Sequence, residues 1–362
     1  MLKERFSVFT RSLPHILSNY RSSGPRAVNI ELGNGCNLKC KMCWFHGENG
    51  TGDRYRGSEL KTGEVFGLVD QVAPYKPKIY IGGSEPFIHK DFLLVLEHIK
   101  SRDIKVSFAT NGTLLDPAKA EQLVKIGVDD IKFSIDGSEE LHDYIRGKGV
   151  FRKVTGAIRT LSGVRKREAK SKPSITVNTT ITSRLPGELK NTVDAIRDAT
   201  GDSADFYRLH HLWYVTRKEL SMHQSATGKT LGCKATGAGS HLTRLSGSVD
   251  PEVLAGEICH LRKNEKVVFF PDLGYEDIVK YYSEGAVLDR SCRASFSGAL
   301  IKPNGDVKFC PDEWIDDYVV GNIREDSFND IWNNKRAREF RKILLKQKQF
   351  AGCKRCSWMY SY

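Results

Sequence analysis

The chain has 362 residues, 40% of them hydrophobic, and 56 Lys+Arg against 44 Asp+Glu give a net charge of +12. That is enough apolar material for one large domain or two smaller ones. It excludes an integral helical membrane protein, since no run of eighteen apolar residues occurs. The N-terminus lacks the apolar segment of a secretory signal, so the expected compartment is the cytoplasm. The nine cysteines fall as three, four and two leftovers, a grouping that reads as metal chemistry in a reducing compartment rather than as disulfides. The positive charge favours anionic partners but is spread along the chain with no recognition motif, so nucleic acid is not expected. A nucleotide- or lipid-linked substrate, an anionic membrane surface, or simply a basic enzyme fits the same charge.

Residues 1–22 place Leu2, Phe6, Phe9, Leu13, Ile16, Leu17 and Tyr20 at helical spacing among Lys3, Arg5, Arg11 and Arg21, with Pro14 interrupting. This basic amphipathic helix, within a first segment 1–26, either packs on the domain that follows or makes a peripheral membrane contact. From Val28 to about Trp213 short β-rich runs alternate with helical stretches, as in parallel strands joined by crossover helices. The expected strands are 27–32, 77–82, 104–109, 129–135, 174–181 and 204–212.

The first strand leads into Cys36, Cys40 and Cys43, spaced as C-x3-C-x2-C. Three thiolates on one loop hold a 4Fe-4S cluster by three irons and leave the fourth open. Zinc suits thiolates too, but a structural site wants four ligands, and no further Cys or His is expected to complete this trio.

This spacing, with Asn37-Leu38 inside the first gap, resembles the signature of the radical S-adenosylmethionine (SAM) superfamily. The resemblance implies that SAM chelates the open iron and that a flavodoxin- or ferredoxin-type reductant drives its cleavage to a 5'-deoxyadenosyl radical. It also implies an α/β fold, a partial (β/α)6 TIM-like barrel over 27–249, with its chemistry at the C-terminal ends of the strands. Met42 stands where the family often has an aromatic residue and is expected against the adenine. Gly82-Gly83-Ser84-Glu85-Pro86 resembles the G-G-E-P element, with Ser84 in place of a glycine; Gly83, Ser84 and Glu85 are then expected around the SAM amino group. Asn111 and Ser134, after the third strand and at the end of the fourth, are expected near the methionine moiety. His142 to Gly147 resembles an H-D-x-x-R-G stretch in which Arg146 clamps a carboxylate. Asn178 and Thr180 lie on the fifth strand, facing in or out. The Lys- and Arg-rich run 163–172 reads as a solvated loop.

Between Tyr214 and about Ser248 there is no clear periodicity, and so long a connection after a barrel strand is expected to be a substrate lid. It carries His223, Lys229, Cys233, His241 and Arg244, with His210, His211 and Trp213 just before it. Gly228-Lys229-Thr230 is not a phosphate loop, because His223 stands where the first glycine belongs. Cys233 is the candidate hydrogen donor, whereas Cys259 is expected in the core. Segment 250–285 reads as bridging helices, the first starting at Asp250-Pro251.

In the last segment, 286–362, Pro303-Asn304-Gly305-Asp306 between apolar runs predicts a β-hairpin that brings Cys292 and Cys310 together. After a helix around 326–346, Cys353 and Cys356 close the set. Four thiolates suit either structural zinc or a fully ligated 4Fe-4S cluster, and spacing does not separate them. C-x12-G-x4-C followed by Val320-Gly321-Asn322-Ile323 and C-x2-C is similar to the SPASM extension in its shortened "twitch" form, a small α+β domain, which implies a second 4Fe-4S cluster. The resemblance implies a radical SAM oxidoreductase or epimerase acting on a carbohydrate or aminocyclitol, a small molecule for which the positive charge suits a nucleotide- or lipid-linked form. The alternative is a maturase of a ribosomally synthesised peptide; a non-catalytic electron carrier or zinc scaffold is a third reading, against which the set of SAM motifs argues.

Overall fold

The computed structural model describes residues 18–242, 249–286 and 288–361. The expected N-terminal helix lies almost wholly outside them, as does Arg244. Alternation of apolar and polar residues sets the architecture. In β1 (Ala27–Ile30) Val28 and Ile30 are fully buried on one face while Asn29 looks to the other. The chain continues through α1 (Thr62–Val72), β2 (Lys78–Ile81), α2 (Phe92–Ser101), β3 (Lys105–Thr110), α3 (Pro117–Ile126), β4 (Asp130–Ser134), α4 (Glu139–Arg146), α5 (Val150–Arg167), β5 (Ser174–Ile181), α6 (Leu189–Thr200) and β6 (Phe206–His211). Strands β1 to β6 pair in parallel in that order, as expected for a partial barrel. The basic run 163–172 is not a free loop, since α5 extends through Arg167 with Val164 buried.

After β6 the structure departs from expectation. The presumed lid is largely helical, with α7 (Arg217–Leu231) burying Glu219, His223 and Thr227. Polar groups on its inner face hid the helical period. Between α8 (Pro251–Leu261) and α9 (Tyr275–Tyr282) the "bridging helices" contain a seventh strand, β7 (Val267–Phe270), parallel to β6. At four residues it was too short to read as more than a helix connection. The hairpin β8 (Gly298–Ile301) and β9 (Asp306–Lys308) forms as expected, with Gly305 at φ +90° in its turn. Strand β8 pairs in parallel with β1, so the distal segment extends the barrel sheet. β10 (Gly321–Asn322) completes a ten-strand order β10-β9-β8-β1-β2-β3-β4-β5-β6-β7. The expected 326–346 helix is two, α10 (Phe328–Trp332) and α11 (Lys335–Gln347), broken where the Asn334 side chain caps α11. No helix among the described residues is long and apolar enough to cross a membrane.

Candidate active site

A cavity of about 470 Å³ runs through the barrel mouth. Inward residues of successive strands line it: Asn29, Tyr80, Ser107, Lys132, Ser134, Asn178, Thr180, Arg208 and His210. Cys36, Cys40 and Cys43 lie in its wall, together with Met42, Gly83, Ser84, Glu85, Asn111 and Arg146. The motifs scattered over the first 146 residues therefore converge on one space.

The cysteine loop is held from several sides. Backbone N–H groups of Leu38, Phe45 and His46 point at sulfur, the first at Cys36 Sγ (3.5 Å) and the others at Cys43 Sγ (3.4 and 3.3 Å). Arg146 Nη1 sits 3.6 Å from Cys40 Sγ. Such donors favour thiolate over thiol. Burial, opposing them, pushes the Cys36 thiol up to about 11, so a bound metal is needed to bring the set into its ligating form. Asn37, inside the first gap, accepts from Asn111 Nδ2 (2.9 Å) and donates to Thr113 Oγ1 (2.8 Å). Asn111 thus acts through the loop, fixing where the cysteines stand.

Glu85 is buried and its carboxyl is raised by desolvation, although it accepts from Thr110 Oγ1 (2.7 Å) and the Asn111 N–H (2.8 Å). No cation among the described residues forms an ion pair with it, so the cavity offers an ammonium group a ready partner. Gly83 has φ +93°, and a Cβ there would lie 2.7 Å from Glu31 Cγ, so only glycine brings the backbone this close. Ser84 donates to the Gly33 carbonyl (2.6 Å), bracing the turn. Arg146 lines the cavity, but the carboxylate it holds is the chain's own Asp136 (2.5 Å), whose other oxygen accepts from the Thr180 N–H (2.9 Å). Ser134, Asn178 and Thr180 face inward, and Asn178 Oδ1 is buried without a hydrogen-bond partner among the described residues.

The distal cysteines also converge. Cys292, Cys353 and Cys356 are buried, and burial together with the nearby sulfurs pushes the Cys310 thiol well up. The C-x2-C turn is clamped by α7: Glu219 forms an ion pair with Lys354 Nζ (2.8 Å) and accepts from Arg355 Nη1 (2.6 Å), and His223 Nδ1 accepts from the Gly352 N–H (3.1 Å). His223 and His241 are structural, the first also bound to the Trp314 carbonyl (2.7 Å) and the second stacked on the Trp314 ring at 4.1 Å. The helix expected to cover substrate instead builds the second cysteine site. Cys233 is not in the cavity wall. It sits near Cys310 and Tyr318, which removes the ground for a hydrogen donor, and Cys259 is exposed rather than in the core.

Among the described residues no three Cys, His, Asp or Glu side chains draw close enough to hold a single metal ion. A tetrahedral zinc would need its sulfurs about 3.8 Å apart for bonds of about 2.3 Å. His46, three residues after Cys43, was overlooked as a neighbour of the loop; it lines the cavity with Nε2 unpartnered, yet does not close such a site. Three loop thiols beside an unpaired carboxylate, and four distal thiols together, three of them buried, fit clusters and a zwitterionic cofactor.

Several lining residues had no motif to announce them. Arg208 and Lys132 were legible only as polar positions alternating with buried Leu209 and Phe133. Leu300, Asp312 and Trp358 enter the wall from the distal segment. Burial, with the charges of Glu31 and Glu313, pushes the Asp312 carboxyl well up.

Residues 30–198 match the Radical SAM superfamily and residues 292–357 an iron-sulfur cluster-binding domain, SPASM. Across 360 residues the chain is 27% identical to the AdoMet-dependent heme synthase of Methanosarcina barkeri, covering 93% of this chain and 90% of that protein. It is 26% identical to the mycofactocin maturase MftC of Mycobacterium ulcerans, covering 96% and 85%. Its fold resembles that of SuiB from Streptococcus suis (TM-score 0.64, 15% identity, 92% of this chain and 71% of that one), which has also been solved with its precursor peptide SuiA and with SAM.

Proposed function

We propose that this chain, which belongs to the radical SAM superfamily and uses SAM with 4Fe-4S clusters, is a maturase that modifies a side chain of a ribosomally made peptide. The observation that carries this reading is the likeness, over more than nine-tenths of the chain, to the mycofactocin maturases, 25–26% identical. At about 470 Å³ the cavity is of the size that takes a drug-sized ligand, roughly 300–1,000 Å³. The carbohydrate expectation finds no comparable support, and dehydrogenation or epimerisation is not part of the proposal.

Cys36, Cys40 and Cys43 would hold the cluster with the open iron, with Glu85 and the Gly83 backbone at the amino group of SAM, Ser134 on its carboxylate side and Met42 against its adenine. Bound there, the pair supplies a 5'-deoxyadenosyl radical that takes a hydrogen atom. Cys292, Cys310, Cys353 and Cys356 would ligate the second cluster completely, leaving it electron transfer as its use. Asp312, two residues after Cys310 and in the cavity wall, is the titratable group placed to exchange a proton with the substrate.

A second reading, a tetrapyrrole substrate, is favoured by the heme synthase, Fe-coproporphyrin III synthase and pre-heme d1 synthase among the relatives. Anaerobically reconstituted protein, given SAM and a low-potential reductant, is incubated separately with candidate peptides encoded beside its gene and with iron-coproporphyrin III. A mass change in a peptide with release of 5'-deoxyadenosine is expected; consumption of the porphyrin with every peptide untouched would overturn the proposal.

A further inference from the structure

We infer that Arg208, with the Tyr80 hydroxyl, forms a recess that binds a carboxylate of the substrate. Arg208 is central on β6, in register with Asn178 and Val268, and lines the cavity. Its guanidinium lies 3.8 Å over the Phe270 ring. Among the described residues it has no hydrogen bond and no ion pair. A half-buried guanidinium with five donors and only a ring face for company is an incomplete site.

The other cations nearby are matched or at the rim; of the carboxylates, Asp312 also lines this space and acts on Tyr80. Lys132 Nζ pairs with Asp130, and the second oxygen of Asp130 accepts from Thr176 Oγ1 (2.7 Å). Arg146 is committed to Asp136. Lys78 lines the space only from the exposed start of β2. His210 is held neutral by burial and by Arg208, its pKa falling to about 3. The Tyr80 phenol, pushed to about 12 by burial, keeps its proton and has no hydrogen-bond partner among the described residues. One uncompensated positive charge beside one neutral hydroxyl suits a monoanion better than a doubly charged phosphate. The planar fork of arginine fits the two oxygens of a carboxylate.

This rests on the reading that the cavity is the substrate site, but not on the substrate being a peptide. Equilibrium dialysis of labelled propionate against reconstituted, SAM-loaded enzyme tests it, with propionamide and inorganic phosphate as comparisons. Propionate is expected to bind more tightly than either. Arg208→Gln should weaken it at least tenfold, Arg208→Lys by less, and Tyr80→Phe about threefold. Iron content and cluster absorbance serve as the folding control; should Arg208→Gln fail to load iron, Tyr80→Phe carries the test. N-acetylglutamine and N-acetylisoglutamine, with a main-chain and a side-chain carboxylate respectively, then compete against propionate and tell which source is held. Equal binding of propionate to parent and Arg208→Gln, equal binding of propionamide, stronger binding of phosphate, or competition by neither amide would overturn the assignment. A peptide assay that fails while propionate binding stands would sink the maturase reading and leave the recess.

Discussion

Glu219→Gln removes the carboxylate that α7 lays against the two bases between Cys353 and Cys356. The side chains involved are nearly sealed from water: 5% exposed for Glu219, 4% for Lys354 and 1% for Arg355. Without that charge, Arg355 keeps the Tyr281 carbonyl (3.0 Å) and the Tyr214 ring (3.8 Å), and Lys354 keeps the Ser283 carbonyl (2.7 Å). Breaking a buried pair by removing one partner costs about 3–5 kcal/mol. The retained carbonyls and the accepting oxygen of the new amide place this case near about 3 kcal/mol. With an unfolding entropy of about 2.1 cal/mol/K per residue over 362 residues, Tm should drop by about 4 °C. The damage should be local, because Glu219 touches the distal turn and not the loop of Cys36. Iron released to a chelator over time should therefore show about half of the iron leaving early in the variant, with the other half as slow as in the parent. Parent-like Tm and a single slow phase would refute the claim that α7 holds the second cysteine site.

Acid should weaken the fold in two windows. Burial holds His142 and His241 down to about 4 and His210 and His211 to about 3, so the unfolded chain binds more protons below about pH 6.5 and stability falls from there. Against burial, Arg355 and Lys354 pull Glu219 down to about 2, and its contribution is lost below about pH 4.5; denaturant midpoints unchanged between pH 7 and 5 would contradict the first window. Lys302→Met strands Glu31 and Glu313 in a dry pocket, since Lys302 is fully buried, 2.5 Å from Glu31 and in contact with Glu313; a loss of about 3 kcal/mol or more in denaturant unfolding is expected, and a neutral result would count against the pairing. Gly83→Ala meets both a positive φ and Glu31, for about 1–3 kcal/mol of strain, and should raise the KM for SAM in 5'-deoxyadenosine release at least tenfold. Trp358→Ala removes cavity wall and leaves in place the backbone N–H that Trp358 directs at Cys356; substrate turnover should fall several-fold at full iron content, and unchanged turnover would show that the distal segment does not shape the site.

The parallel strands were legible because six β-rich runs are separated by helix-length stretches, and each lies within two residues of its expected bounds. The cysteine sets and Gly83, Glu85 and Asn111 were legible because chemistry demands those residue types at close spacing. What escaped was whatever depends on contacts distant in sequence. The face of α7 that buries Glu219 and His223 is polar, so nothing in the local pattern announced a packed helix; its partners Gly352, Lys354 and Arg355 lie more than 120 residues on. Cys233 looked placed for chemistry only while the segment around it was read as a lid. Arg208 carries no motif, and its meaning comes from Tyr80, Asp130 and Phe270, which only the closed arc of strands sets beside it.

The distal segment carries its own cysteine set, and it also extends the barrel sheet. Strand β8 runs parallel to β1 over four residues, and Lys302, just beyond its end, ties Glu31 after β1 to Glu313 beyond Cys310. The same lysine lies over the rings of Phe45 and Tyr55, which follow the proximal cysteines. Asp312 and Trp358, each within two residues of a distal cysteine, reach the cavity wall. Ligating those cysteines would therefore fix the position of two groups that face the cavity, and the buried ion pairs would transmit that position to the loop of Cys36, Cys40 and Cys43. Interiors this closely packed do not deform by small degrees, so the two cysteine sites and the space between them form one mechanical unit.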